Sequence, residues 1–95
     1  MSTYKELENL MKAFASATRL EIIDYVQRGI VNTNEIAQKM SLHRSTIESH
    51  LKILIEANVL KKIQIKTTKG ILTNTYVLQK NANILMATIK HLSKE

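Results

Sequence analysis

A chain of 95 residues, 44% apolar and 23% charged, has the size and composition of one soluble globular domain and excludes disorder as its default. The absence of cysteine removes disulfides and thiolate metal sites, and the longest apolar run, the four residues Ile84 to Ala87, falls far short of the roughly 20 that cross a bilayer. Fourteen Lys and Arg against eight Asp and Glu give a net charge of +6, all of it late in the chain: residues 1–56 hold seven bases and seven acids, residues 57–95 seven lysines and Glu95 alone. A neutral part joined to a strongly basic one suits a polyanionic partner, nucleic acid first and an acidic membrane surface second. Nothing resembles a secretory signal, so the expected location is cytoplasmic, with no membrane partner.

In chain order, Thr3-x-x-Glu6 has the form of a capping box, and Tyr4, Leu7, Leu10, Met11 and Phe14 follow at helical spacing, which predicts a helix over 3–14. A second helix, from Ser16 or Thr18 to Arg28, carries Leu20, Ile22, Ile23 and Val26 round so much of its circumference that it belongs at the centre of the core; Gly29 ends it. Ile30 and Val31 suffice for no more than a very short strand. Asn32-x-x-Glu35 opens a short third helix with Ile36, Ala37 and Met40 inward. The fourth runs from His43 or Arg44 to Ala57, with Ile47, Leu51, Leu54 and Ile55 inside and Ser45, Glu48, Ser49, Lys52 and Glu56 pointing away. Short helix, tight turn and longer helix with a polar outer face form a helix-turn-helix over 33–57. From Val59 the period becomes two: residues 60–78 read as one hairpin turning at Thr67-Thr68-Lys69-Gly70, a wing over 59–79. Asn81 or Asn83 is then placed to cap a last helix, 82–94, bearing Ala82, Leu85, Met86, Ile89 and Leu92. The expected fold is α+β, mainly α: one winged helix-turn-helix domain over 1–95.

The stretch Phe14-Ala15-Ser16-Ala17-Thr18-Arg19-Leu20-Glu21-Ile22-Ile23 is similar to the L-a-d-p-T-R-l-x-I-L segment of ArsR-type repressors, with Ala17 where proline is usual. Asn34-Glu35-Ile36-Ala37 resembles their x-E-L-A. The run from Ser45 to Leu60, beginning Ser45-Thr46-Ile47-Glu48-Ser49-His50-Leu51, resembles S-T-V-S-x-H-L-x-x-L-x-x-A-G-L-V. The likeness spans about residues 10–79. It implies a winged helix-turn-helix regulator that binds DNA and dimerises through its terminal helices.

A helix in the major groove reads base edges with its first turns, here Arg44, Ser45, Thr46, Glu48 and Ser49. Arg44 suits guanine O6 and N7; Glu48, costly near phosphates unless it finds cytosine N4 or a basic neighbour, can instead select against wrong sites; a plain solvated helix face is the competing explanation. Lys61, Lys62, Lys66 and Lys69 on the hairpin, with Lys80 beyond, suit phosphates, and Lys69 at the tip suits the minor groove, although lysines also guard edge strands. Thr67, Thr68 and Thr73 can add hydroxyl contacts, and Lys52 and His43 join the phosphate group. For His50 a phosphate contact and a packed, hydrogen-bonded ring are both open; for Arg19, a structural bond or a phosphate contact.

The stripes Tyr4/Leu7/Leu10/Met11/Phe14 and Leu85/Met86/Ile89/Leu92 either close the monomer core or form a dimer interface, which the resemblance favours. Two-fold symmetry then makes the target an inverted repeat with half-sites about one helical turn apart. No metal or other cofactor is expected. The family's cysteine site has no cysteines, and its histidine site retains only His91, with Leu78, Lys80 and Lys94 at the partner positions; His91 and Glu95, one turn apart, do not make a closed site. Nor is an enzyme expected, since there is no phosphate loop or nucleophile motif, and Ser49 and His50 diverge by about 100° on a helix. The expected function is a homodimeric repressor reading double-stranded DNA. The alternatives are an architectural DNA-coating protein and a winged helix used for protein association. No small-molecule effector is legible.

Overall fold

Ser16 and Asn32 set the helix starts that organise the first half of the chain. Both adopt extended backbone, and their side chains accept from the amides three residues on, Arg19 N at 3.2 Å and Glu35 N at 3.0 Å. Each satisfies a donor that the helix itself leaves free. In the computed structural model, which describes residues 3–94, the elements are α1 (Thr3–Phe14), α2 (Ala17–Gln27), α3 (Thr33–Met40), α4 (Arg44–Glu56), β1 (Leu60–Lys66), β2 (Leu72–Leu78) and α5 (Lys80–Leu92). Thr3 is already helical, so the expected box does not form with Thr3 as its cap, and the position before it lies outside the described residues.

Three helices end in the same way. After α2, Gly29 takes φ +85°, with Gly29 N donating to Val26 O and Ile30 N to Tyr25 O. After α3, Ser41 takes φ +56°, with Leu42 N donating to Ala37 O; after α4, Asn58 takes φ +60°, with Val59 N donating to Leu54 O. These are Schellman closures, each turning the chain sharply on one left-handed residue. The Ser41 closure is the turn of the helix-turn-helix.

Ile22, Ile23, Ile36, Ile47, Leu51, Leu54, Val59 and Leu60 are the largest fully buried side chains, drawn from α2, α3, α4 and the wing root. α2 packs on α1, α4 and β2, confirming its central place. The wing is a two-stranded antiparallel sheet in the register Leu60↔Leu78 to Lys66↔Leu72. Its turn closes by Gly70 N to Thr67 O (2.9 Å), Thr67 N to Ile71 O (2.8 Å) and Ile71 N to Thr67 Oγ1 (3.1 Å), with Gly70 at φ +80° as a three-residue hairpin loop requires. Among the described residues Ile30 and Val31 form no strand.

The last helix departs from expectation. It begins at Lys80, before either of the asparagines expected to cap it. Gln79 N donates to Val59 O (2.9 Å), so the chain passes from β2 directly into α5 with Gln79 as N-cap. Asn83 Oδ1 instead accepts from Gln27 Nε2 at 3.0 Å, and Lys90 Nζ donates to Asp24 Oδ1 (2.6 Å) and Gln27 Oε1 (2.8 Å), tying α5 to α2.

Candidate nucleic-acid interface

The core stripe Ile47/Leu51/Leu54 anchors α4 and leaves Arg44, Ser45, Glu48, Ser49 and Lys52 exposed, as the helical period requires, with Thr46 half-buried. His43 is the N-cap and makes no side-chain capping bond, so its exposed ring stands at the head of the helix. Glu48 does have a basic neighbour: Arg44 Nε lies 3.5 Å from its Oε1. The Ser49 hydroxyl donates to Ser45 O at 3.0 Å, which leaves its oxygen as an acceptor but commits its proton to the helix.

Leu60 and Tyr76, both buried, seat the wing against the body. Lys61, Lys62, Lys66, Thr68 and Lys69 are all exposed. Strand alternation separates them: Lys62 and Lys66 share a face with Asn74 and Tyr76, whereas Lys61 lies with Ile63 and Ile65 on the other. Lys62 lines a polar cleft with Arg44 and Glu48 of α4, Thr73 and Asn74 of β2, and Asn32, Thr33 and Asn34 at the start of α3. The place of Asn34 and Asn74 in this cleft leaves no mark in the sequence. Isolated asparagines carry no periodic signal, and only the Gln64↔Asn74 pairing brings the second one here.

Arg19 and His50 face each other. Arg19 Nε donates to Ala13 O (2.8 Å) and Nη2 to Lys12 O (3.0 Å), closing the end of α1, while Nη1 donates to His50 Nδ1 (3.2 Å). Arginine only donates, so Nδ1 accepts and the ring's proton is on Nε2. Burial first, and the Arg19 guanidinium second, hold His50 below the usual histidine pKa. Both side chains thus have the structural bonds expected of them, and the half-buried His50 ring keeps its Nε2 proton as a donor.

On the terminal helices, Phe14 and Met86 are only 8% and 3% exposed and belong to the protomer's core, a correction to their place on an interface. Leu10, Leu85 and Ile89 are half-buried against the same core. Tyr4 (83% exposed), Leu7, Met11 and Leu92 (76%) remain outside it, joined by Ile84, which lies off the stripe read from the sequence. Among the described residues no group of three or more His, Asp or Glu side chains could hold a metal, and Glu95, the expected neighbour of His91, lies outside them. No helix there is long and apolar enough to cross a membrane.

Helix-turn-helix, basic wing and flanking helices define a winged helix-turn-helix protein. Solved structures share this fold over nearly the whole chain: a possible transcriptional regulatory protein from Mycobacterium bovis (TM-score 0.79, 19% identity, 99% of this chain and 97% of that one) and HlyU from Vibrio cholerae (TM-score 0.74, 20% identity, 98% of each). Residues 16–62 match the family model described as bacterial regulatory protein, arsR family. In sequence the chain is 29% identical over 80 residues to the transcriptional repressor SdpR of Bacillus subtilis, covering 84% of this chain and 89% of that one. It is 30% identical over 59 residues to the HTH-type transcriptional regulator Rv2034 of Mycobacterium tuberculosis, covering 62% and 55%. The chain is a transcriptional regulator with a helix-turn-helix DNA-binding domain of the ArsR family, and one without cysteine.

Proposed function

We propose that the chain is a homodimeric repressor that reads an inverted repeat in double-stranded DNA and acts by occupying promoter sequence. The observation that carries this is the juxtaposition of an exposed Arg44–Glu48 pair on the first turns of α4 with the Lys62-bearing face of the wing. Arg44, Ser45, Thr46, Glu48 and Ser49 serve the bases. His43, Lys52, Lys61, Lys62, Lys66, Thr68 and Lys69 serve the backbone. Asn34 and Asn74 add amide contacts at the edge of the cleft. Repression is also the role printed in the name of the Bacillus subtilis relative. Tyr4, Leu7, Met11 and Leu92, with Ile84, offer the second copy an apolar surface that water disfavours. Sedimentation of the full chain is expected to give a dimer, and Met11→Glu a folded monomer whose affinity for a two-half-site duplex drops to that for one half-site. A variant that remains dimeric, or a monomer that binds the full site undiminished, would remove the dimer from the mechanism.

A further inference from the structure

Three of the lysines border a second concavity, and one of them, Lys62, also borders the base-reading turn. Lys61 and Lys62 at the root of β1 and Lys80 at the start of α5 line a groove of about 730 Å3, together with Asn58, Gln79 and Asn81. Ile55 and Leu60 complete its lining, and no carboxylate is part of it. The first turn of α5 contributes no acid, and among the described residues no ion pair within 4.0 Å joins any of these lysines to an Asp or Glu. Lys61 and Lys62 leave β1 on opposite faces and meet only at this edge, and Lys62 also borders clefts that contain Glu48 and Glu56; the groove itself carries positive charge alone, and an anion placed in it relieves the repulsion between like charges. The size lies within the range of small-ligand sites. The groove borders the C-terminal end of α4, whose last residue, Glu56, is about 18 Å along the helix from Arg44 at 1.5 Å per residue, so Lys62 is the one lining residue it shares with the cleft at the base-reading turn.

Lys62 belongs to both places. It lines this groove and also the cleft with Arg44 and Glu48. We propose that the groove binds a small phosphate-bearing anion, of the size of pyrophosphate or a nucleotide, and that the bound anion weakens DNA binding by drawing the Lys62 ammonium away from the DNA-facing cleft. The second half rests on the DNA-binding reading above; the first half does not.

The full chain, labelled with nitrogen-15, is titrated with inorganic pyrophosphate at constant ionic strength and followed by NMR. Saturable shifts at Asn58, Lys61 and residues 79–81 are expected. Asn81→Asp adds a carboxylate to the groove at a first-turn position where an acid suits the helix, so folding is preserved and pyrophosphate affinity falls about tenfold. Shifts that never saturate, that spread equally to Lys69 and Lys94, or that survive Asn81→Asp would overturn the site. The regulatory half is read in a second titration, in which pyrophosphate lowers affinity for duplex DNA beyond a chloride control of equal ionic strength in the wild type and not in Asn81→Asp. An effect no larger than the control overturns that half while the NMR result stands. Failure to bind any duplex overturns that half together with the DNA reading, and the site is still decided by the NMR titration.

Discussion

Arg44 and Glu48 form an exposed i,i+4 pair, a type of contact with a typical worth of about 0–1 kcal/mol. Here the base precedes the acid and stands on the first turn of α4, the less favourable order and the end where the helix dipole opposes a cation. Stability therefore gives little reason for this arginine, whereas guanine recognition does. Arg44→Ala is expected to leave stability within about 0.5 kcal/mol and to cost about 1–3 kcal/mol at one base-pair position, measured by competition binding with single-base operator variants. Uniform loss over all sequences would make Arg44 a phosphate contact. Ser41 presents the opposite case: it adopts the left-handed turn between α3 and α4 without being glycine, at a cost in backbone energy. Ser41→Gly is expected to raise stability by up to about 1 kcal/mol in urea denaturation, and a loss would mean that its side chain holds the turn in some other way. For His50 the sign follows from its lowered pKa. Above about pH 6.5 the ring is neutral in both folded and unfolded chains; below it the unfolded chain takes up the proton first, so stability falls until the pH has passed the lowered folded value. The melting-temperature difference between wild type and His50→Gln should therefore shrink as the pH drops below about 6.5, and a constant difference would contradict the Arg19–His50 bond.

Among the elements, the proposed role of the wing is to supply affinity without specificity. Lys69 stands at the tip, so Lys69→Ala should weaken binding to all duplexes alike and reduce the slope of log affinity against log salt by about 1. A sequence-selective loss would place it on a base edge. Element types and order were legible in the sequence because each has a strong period: Ile47, Leu51 and Leu54 at helical spacing, alternation from Leu60 onward, and Gly70 in the turn. Helix ends were less so. Gly29 signalled its closure, but Ser41 and Asn58 perform the same turn with residues whose sequence signal is weaker. The start of α5 was hidden for a related reason: Asn81 and Asn83 are good capping residues, yet the Gln79–Val59 backbone bond begins the helix before either. Within the site, exposed α4 residues followed from the wheel, while the Arg19–His50 contact, 31 positions apart, and the cleft asparagines depend on tertiary packing that no local pattern encodes.

The whole molecule measures 43 × 36 × 22 Å with a radius of gyration of 14.0 Å, where a compact chain of this length would have about 12 Å. On the terminal helices Tyr4, Leu7, Met11, Ile84 and Leu92 stay exposed. The sequence stripes overestimated that surface, since a small domain must commit part of every amphipathic helix to its own core; Phe14 and Met86 went there. What remains supports a second copy and hence two recognition helices related by a two-fold axis. The most direct measurement is to mix the purified full chain with randomised duplex DNA at physiological salt and sequence what it retains. Recovery of an inverted repeat with half-sites about one helical turn apart is the expected result. Strong retention without any shared motif, or no retention at all, would contradict a sequence-reading dimer.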